Sequence, residues 1–598
     1  MGIRTKIKKI LFVLRKINRV SSFIKKNSIK DLLNITKIID TLNSHYRHIY
    51  EYKVPVLSND IKKSILRFEY KPLISIIMPV YNVDKKWLEL AVQSVENQWY
   101  DNWELCLADD CSTNQTTINY LKSIKNKSKI RIKFLKANLN ISGASNEALS
   151  LASGEYVGFL DNDDELTPDA LYEVVKCINR TGSEFIYSDE DKVGFNGRFV
   201  LPHYKPDYSY DMFLSQNYIC HFTVIKKMLI DIVGGFTLGM EGAQDFDLFL
   251  RILESTDQIF HIHKILYHWR MIPSSTASEF MNKSYAQLAG RKALNATLKR
   301  RKINALTFDG KFPGTYRVKY NILNPLISII IPFKDKYEIL EICIMSILNK
   351  TCYNNYEVIC VSNNSQEKET HEFIEKFRNY DSKIKFYEYN IPFNYSKINN
   401  YAVKTLAKGE HIVLLNNDTE VISEEWLESL LEFSQKPDIG AVGCLLLYPD
   451  NRIQHAGVIL GIGGVADHSH NGMNSEHGGY FARPHVIKNI SAVTGACMMV
   501  KKKCYNEIHG LDEVNLKIAF NDVDFCLRLI EKGYKNIYTP YAKLYHHESI
   551  SRGVEVLGCN RFSSENNYML NKYKDLLTEG DPYYNTNLTL SNKDFGFK

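Results

Sequence analysis

The sequence predicts an α/β fold with a largely parallel sheet, present twice in tandem, and three observations lead to it. First, the apolar run Gly154-Glu155-Tyr156-Val157-Gly158-Phe159-Leu160 stops at Asp161, Asp163 and Asp164. A buried strand that ends in carboxylates delivers them to the carboxyl edge of a sheet, where open α/β sheets bind ligands. Second, short β-rich runs alternate with helical patterns: Leu73 to Pro79, then Leu88, Ala91, Val92 and Val95, then Trp103 to Ala108. This is βαβ alternation. Third, the carboxylate-ended run recurs as Gly409-Glu410-His411-Ile412-Val413-Leu414-Leu415-Asn416-Asn417-Asp418, an offset of 255 (409 − 154). Self-similarity over that distance is a duplication of a whole domain.

Residues 1–70 form a basic segment and a connector. Arg4, Lys6, Lys8, Lys9, Arg15, Lys16, Arg19, Lys25 and Lys26 precede the first acidic residue, Asp31, while Ile3, Ile7, Ile10, Leu11, Leu14 and Ile17 recur at helical spacing. That is the pattern of a helix lying on an anionic membrane surface, and equally of one packed on the protein's own body or on a second subunit.

The first repeat, residues 71–320, opens with Leu73-Ile74-Ser75-Ile76-Ile77-Met78-Pro79 and the loop Val80-Tyr81-Asn82. Its second strand ends in Asp109-Asp110, and no Gly-x-Gly-x-x-Gly follows the first strand, which argues against the dinucleotide-binding version of the fold. Carboxylates at successive strand ends suggest instead a ligand held through hydroxyls and a metal. The second repeat, residues 321–598, opens with Leu326-Ile327-Ser328-Ile329-Ile330-Ile331-Pro332, an offset of 253 (326 − 73). Gln244-Asp245-x-Asp247 is matched by Asn521-Asp522-x-Asp524 at 277 (521 − 244), and Leu266-Tyr267-His268 by Leu544-Tyr545-His546 at 278 (544 − 266). The jump of 22 (277 − 255) marks an insertion in the second repeat, placed in the glycine- and histidine-rich region from His455 to His485. His468, His470, His477 and His485 there fit no closed zinc site by spacing, so an acceptor-binding or lid loop is expected.

The composition bounds the class. A chain of 598 residues, 44% hydrophobic and 24% charged, is ordinary globular material for two large domains, and a net charge of +7 over that length implies no nucleic-acid partner. None of the 12 cysteines forms a Cys-x-x-Cys pair, and Cys106, Cys343 and Cys360 sit in apolar runs, as expected of reduced core thiols in a cytoplasmic protein. No apolar run approaches the roughly 20 residues of a membrane span, and the basic N-terminus lacks a signal-peptide hydrophobic region.

Pro79-Val80-Tyr81-Asn82, Asp109-Asp110, Asn146-x-Ala148 ahead of Gly154, Asp161-x-Asp163 and Gln244-Asp245-x-Asp247, in this order and twice over, resemble glycosyltransferase family 2, whose members have the GT-A fold. The resemblance covers Lys71 to Tyr573. The arrangement is similar to tandem enzymes that build bacterial surface polysaccharides, including rhamnose-containing O-antigen chains of lipopolysaccharide. In the second repeat Asn416-Asn417-Asp418, Thr494-Gly495-Ala496-Cys497 and His546-His547-Glu548-Ser549 resemble rhamnosyltransferase-like members.

The resemblance implies a nucleotide-sugar donor (dTDP-, UDP- or GDP-linked), a divalent cation (Mn2+ or Mg2+), and a lipid-linked glycan acceptor at the inner face of the cell membrane. It implies donor contacts from Pro79, Tyr81, Asn82, Asp109, Asp110 and Asp161, with Asn363 and Asn416 at the second site, and metal contacts from Asp163 and Asp418. A leaving diphosphate develops negative charge that a hard cation on carboxylate oxygens neutralises. Inverting transfer needs a carboxylate to take the acceptor hydroxyl's proton, which by resemblance is Asp245, with Asp522 its counterpart. The neighbours Gln244 and Asn521 are neutral where glutamate is common. His268 and His546 are candidate metal ligands or satisfied core histidines, and Arg270 and Arg552 candidates to steady phosphate oxygens or to pair with surface carboxylates. The second site departs from the pattern at Asn416 and at Ser362-Asn363, which stands where Asp109-Asp110 does. Three readings follow: two transfer sites in one chain, a catalytic first repeat with a second that binds acceptor glycan, or a non-catalytic glycan-binding scaffold.

Overall fold

In both repeats the innermost strand is hydrophobic on both faces, so helices must cover it from both sides. In the first repeat this strand is β1 (Ile74–Val80), with β2 (Trp103–Asp109), β3 (Ile130–Phe134), β4 (Tyr156–Phe159), β5 (Glu165–Leu166), β6 (Phe185–Val193), β7 (Phe199–His203), β8 (Thr223–Lys226) and β9 (Ile259–Arg270) following in the chain. Ile74, Ile76 and Met78 pack with Leu88, Ala91, Val92 and Val95 of the helix Lys85–Glu96. Ile77 points the other way, into a core with Ala144, Ala148 and Phe246, as the two-residue period of a strand requires. The computed structural model describes residues 50–194, 196–271, 284–378, 380–547 and 562–598. The basic N-terminal segment, Glu548, Ser549 and Arg552 lie outside them.

The first sheet runs β3-β2-β1-β4-β8-β6-β9-β5, with β7 beside β6. It is mixed rather than largely parallel. β3, β2, β1 and β4 are parallel, β8 is antiparallel to both β4 and β6, and β5 is antiparallel to β9. β8 is four residues long and buried between two neighbours, so its apolar run carries no period that would reveal its direction.

A hairpin, β10 (Ala305–Asp309) and β11 (Tyr316–Tyr320), precedes the second sheet. The second repeat comprises β12 (Ile327–Phe333), β13 (Tyr356–Ser362), β14 (Ile384–Glu388), β15 (His411–Leu415), β16 (Thr419–Val421), β17 (Ile439–Leu447), β18 (Ile453–His455), β19 (Val458–Leu460), β20 (Ala466–His468), β21 (Lys488–Ile490), β22 (Cys497–Lys501) and β23 (Lys535–His546). Its order, β14-β13-β12-β15-β22-β17-β23-β16, repeats the first strand for strand, β18 pairs with β17 as β7 does with β6, and β19 to β21 lie in the insertion.

That insertion packs against the first repeat. Its Tyr480, Arg483 and His485 are buried, and it docks on the first repeat: Tyr480 Oη donates to the Pro202 carbonyl at 2.9 Å and Arg483 Nη2 to the Tyr204 carbonyl at 2.6 Å. The Asn489 side chain brackets Ser209 and Asp211 at 2.9 and 3.0 Å. One apolar core runs through both repeats, from Phe185 and Phe246 through Tyr316 and Tyr320 to Ile329, Phe433 and Val442. Residues 50–598 are a single compact unit.

Candidate functional site

The parallel strands β1, β2 and β4 end on one edge, with Val80 opposite Asp109. Beyond β1 the chain turns at Asn82, whose φ of 48° is a left-handed conformation that asparagine tolerates. Asn82 Oδ1 accepts from the backbone N–H of Thr113 (2.8 Å) and Asn114 (2.9 Å), which ties the loops after β1 and β2 together. Its side chain therefore shapes the edge, where the ring of Tyr81 is half-exposed. Asp109 is buried with an unpartnered Oδ1. Asp110 Oδ1 accepts from Leu139 N at 2.6 Å, and burial raises its pKa.

After β4 three aspartates divide their work. Asp164 is buried and held from two sides, by Tyr267 Oη at 2.6 Å and Arg270 N at 2.7 Å. Arg270 Nε donates to the Asp163 carbonyl at 2.9 Å, its Nη2 pairs with Glu165, and its guanidinium lies over the Trp87 ring. Arg270 is thus a brace under the acidic turn. Asn162 Nδ2 closes the turn on the Pro79 carbonyl at 2.8 Å. Asp161 and Asp163 face the edge. Burial and then the neighbouring Asp161 charge push Asp163 up to about 6. Burial also raises Asp161, with His221 opposing and Asp245 adding to the effect. Asp161, Asp163, Asp245 and His221 therefore share one electrostatic neighbourhood.

Asp245 lies in the first turn of the helix Gln244–Ile252 and accepts from Asn217 Nδ2 at 2.9 Å. Its neighbour in the motif does something else. Asp247 is buried in an ion pair with Arg251 at 2.8 Å, and Arg251 also donates to the carbonyls of Val233 and Gly235. The second repeat reproduces this clamp with Asp524, Arg528 and the carbonyls of Ile508 and Gly510. In each motif the second aspartate anchors the helix.

At the second edge Asp418 Oδ1 lies 3.2 Å from His546 Nε2, which is 3.4 Å from Asn416 Nδ2. Asp522 accepts from two backbone N–H groups, Gly495 at 2.7 Å and Val523 at 2.8 Å. Asn363 sits where Asp110 does, but its Nδ2 donates to the carbonyls of Tyr389 and Ile391. The Glycosyl transferase family 2 profile matches residues 75–232 and 328–508, more than half of the chain and one segment in each repeat. The chain belongs to glycosyl transferase family 2. Its sheets are those of the GT-A fold. An uncharacterised protein of Sinorhizobium fredii is 42% identical over 547 residues, covering 90% of this chain and 60% of that one. The O-antigen biosynthesis protein RfbC of Myxococcus xanthus is 36% identical over 547 residues, 90% of this chain and 42% of that one. The chain thus spans about half the length of these curated relatives. The crystal structure of S. aureus TarS 1-349 in complex with UDP-GlcNAc is 20% identical, covers 38% of this chain and 66% of that one, and has a TM-score of 0.32.

The family 2 repeats differ in where a histidine stands. Leu166 of β5 faces Tyr267, whereas Val421 of β16 faces Leu544. Since Val421 corresponds to Leu166 at the offset of 255 (421 − 166), His546 corresponds to Trp269 and not to His268. The neighbouring strands agree, with Asp191 opposite His268 and Leu447 opposite Tyr545. A one-residue shift sends a side chain to the other face of the sheet. His546 accordingly joins Asp418, while His268 is buried with Nδ1 2.5 Å from Asp191 and its ring between Tyr52 and Phe199. The structure does not bring His268 to Asp161 and Asp163. His221, stacked on Tyr267 at 4.6 Å, stands there in its place. His221 lies just before the short β8, and the register of β8 on β4 and of β22 on β15 puts Ala496 at the corresponding place (an offset of 275, 501 − 226), so the repeat carries no signal for it.

Proposed function

We propose that this family 2 chain is an inverting glycosyltransferase with two transfer sites, building a lipid-linked bacterial surface glycan from nucleotide sugars at the cytoplasmic face of the membrane. The observation that supports it most is the position of Asp245, at a helix start and near enough to Asp161 for their charges to act on each other. A sugar held between the strand ends and Asp245 would present its anomeric carbon to an acceptor hydroxyl on the Asp245 side. Asp245 takes that proton as the hydroxyl attacks, and Asn217 fixes the carboxylate's orientation.

The donor set at the first edge fits a hard cation: Asp163 and Asp161 are neighbouring carboxylates whose charges repel each other. Asp163, and Asp418 in the second repeat, would hold Mn2+ or Mg2+, which when bound supplies positive charge for the leaving diphosphate. Tyr81 and Asp109 would receive the nucleotide, and Asp161 or Asn416 a ribose hydroxyl.

A second reading has its own support. Asp522 directs both oxygens at backbone N–H groups, and Asn416 replaces an aspartate; on this reading the second repeat binds acceptor glycan and only the first transfers. Transfer onto a lipid-linked or synthetic acceptor, from a panel of nucleotide sugars with Mn2+ or Mg2+, separates the two. With products resolved by mass, Asp163→Ala and Asp418→Ala are expected to stop at different products. Wild-type products from Asp418→Ala would leave the second repeat as a binding module. Unchanged products from both variants would overturn the assignment of the sites.

A further inference from the structure

Away from both edges, two histidines converge on one carboxylate oxygen. His261 and His263 are two apart on β9, so their side chains share a face of the strand. His261 Nδ1 lies 3.2 Å and His263 Nε2 2.7 Å from the same atom, Asp207 Oδ1. Among the described residues these are the three side chains of metal-ligating type whose ligand atoms all lie within 4.8 Å of one another.

The outer nitrogens of both rings are also engaged. His261 Nε2 is 2.9 Å from Asp189 Oδ1, and His263 Nδ1 is 3.2 Å from Thr586 Oγ1. A neutral imidazole carries one proton. With that proton on the outer nitrogen, facing Asp189 or Thr586, the inner nitrogen of each ring turns a lone pair towards Asp207. Two lone pairs and a carboxylate aimed at one point repel unless a cation lies between them. Metal-bound histidines characteristically have their second nitrogen held by a carboxylate or other acceptor, and both histidines here have that partner. We propose that Asp207, His261 Nδ1 and His263 Nε2 form a zinc site, with water as a fourth ligand, that fastens the end of the chain to the first sheet. Two imidazoles and a carboxylate suit Zn2+ better than the all-oxygen preference of Mg2+. Asp207 is 44% exposed, which leaves an entry path and room for the water.

The segment around Asn585 completes the site from the far end of the sequence. Thr586 orients His263, and Asn585 Nδ2 donates to both Asp189 oxygens at 3.0 Å, so that Asp189 in turn orients His261. Asp207 N donates to the Pro582 carbonyl at 2.9 Å, and Asn587 Nδ2 to the His263 carbonyl at 3.0 Å. The site is whole only when this segment is docked. His263 and Arg270 are seven residues apart along β9, roughly 23 Å at strand rise, so the ion is separate from any at Asp163.

The rival is a metal-free cluster in which a protonated His261 bridges Asp189 and Asp207. The two are distinguished with the full chain, free of any polyhistidine tag, stripped with EDTA and given zinc sulfate. Bound zinc is measured by elemental analysis after desalting, and stability by thermal melting. One zinc per chain is expected, with a melting temperature several degrees above the stripped protein. His263→Gln is expected to hold none and to melt as the stripped wild type does. Thr586→Ala, which leaves all three ligands in place, is expected to bind zinc about 10- to 100-fold more weakly. The Asp163→Ala, Asp418→Ala double variant is expected to keep its zinc, so failure of the transfer-site reading would not touch this one. No zinc retained by the wild type, or equal zinc in wild type and His263→Gln, would overturn the site.

Discussion

Single side chains at the junction of the repeats carry an energetic cost that a pH titration exposes. Lys488 is buried against the Tyr538 ring, with Nζ donating to the Arg483 carbonyl at 2.9 Å, and burial followed by the neighbouring Arg483 charge pushes its pKa down to about 7. The unfolded chain, with an ordinary lysine near 10.4, therefore holds one more proton than the folded chain between about pH 7 and 10. Stability from this group rises with pH across that window and is lowest, and constant, below it. Lys488→Met is expected to be more stable than wild type at pH 7, with the advantage shrinking towards zero near pH 10; thermal melts of both proteins over that range check it. Nothing in the local sequence distinguishes Lys488 from a surface lysine, because its burial comes from partners distant in the chain such as Tyr538. Gly154 and Gly409 are the opposite case. A Cβ on Gly154 would sit 2.5 Å from the Leu73 carbonyl, and one on Gly409 2.6 Å from Ser328 N, so the same close approach recurs at both places where the sequence shows the glycine.

At the level of elements, the helices that begin at Gln244 and Asn521 separate two roles that the Asp-x-Asp pattern leaves merged. Successive acidic residues in a first turn point about 200° apart around the axis in two steps, so one can face the site while the other is buried. Asp245→Asn is expected to abolish transfer with little change in melting temperature. Asp247→Asn is expected to lower stability by about 3 kcal/mol, since it leaves the largely covered Arg251 without its carboxylate; melting curves beside activity assays decide the division. The positions of the first strands and their carboxylate-bearing ends were legible because apolar period and strand termination are local properties. The direction of β8 and the one-residue slip between β9 and β23 were not. Leu266-Tyr267-His268 and Leu544-Tyr545-His546 look alike as strings, yet their partner strands place them in different registers. Similarity of letters aligned His268 with His546, and hydrogen-bond register separates them.

Across the whole molecule, the duplication visible in the sequence does not make two independent bodies. Tyr320 of β11 packs against Phe433, and Lys436 lies over the Tyr320 ring while pairing with Asp211. The hairpin is further pinned by Arg317 on Glu432 at 2.9 Å. A chain ending after Tyr320 would expose this apolar face, and is expected to be insoluble or to melt without a cooperative transition, whereas residues 50–598 should melt cooperatively; calorimetry of the two proteins tests it. The insertion that docks Tyr480 and Arg483 on the first repeat has a consequence for descent. While two copies merely follow each other on a chain, recombination can exchange either for a relative with a different sugar preference. Once one copy has grown a segment that fills its neighbour's side, a swapped-in domain would arrive with the wrong surface. From then on each copy can change its chemistry only by substitution in place.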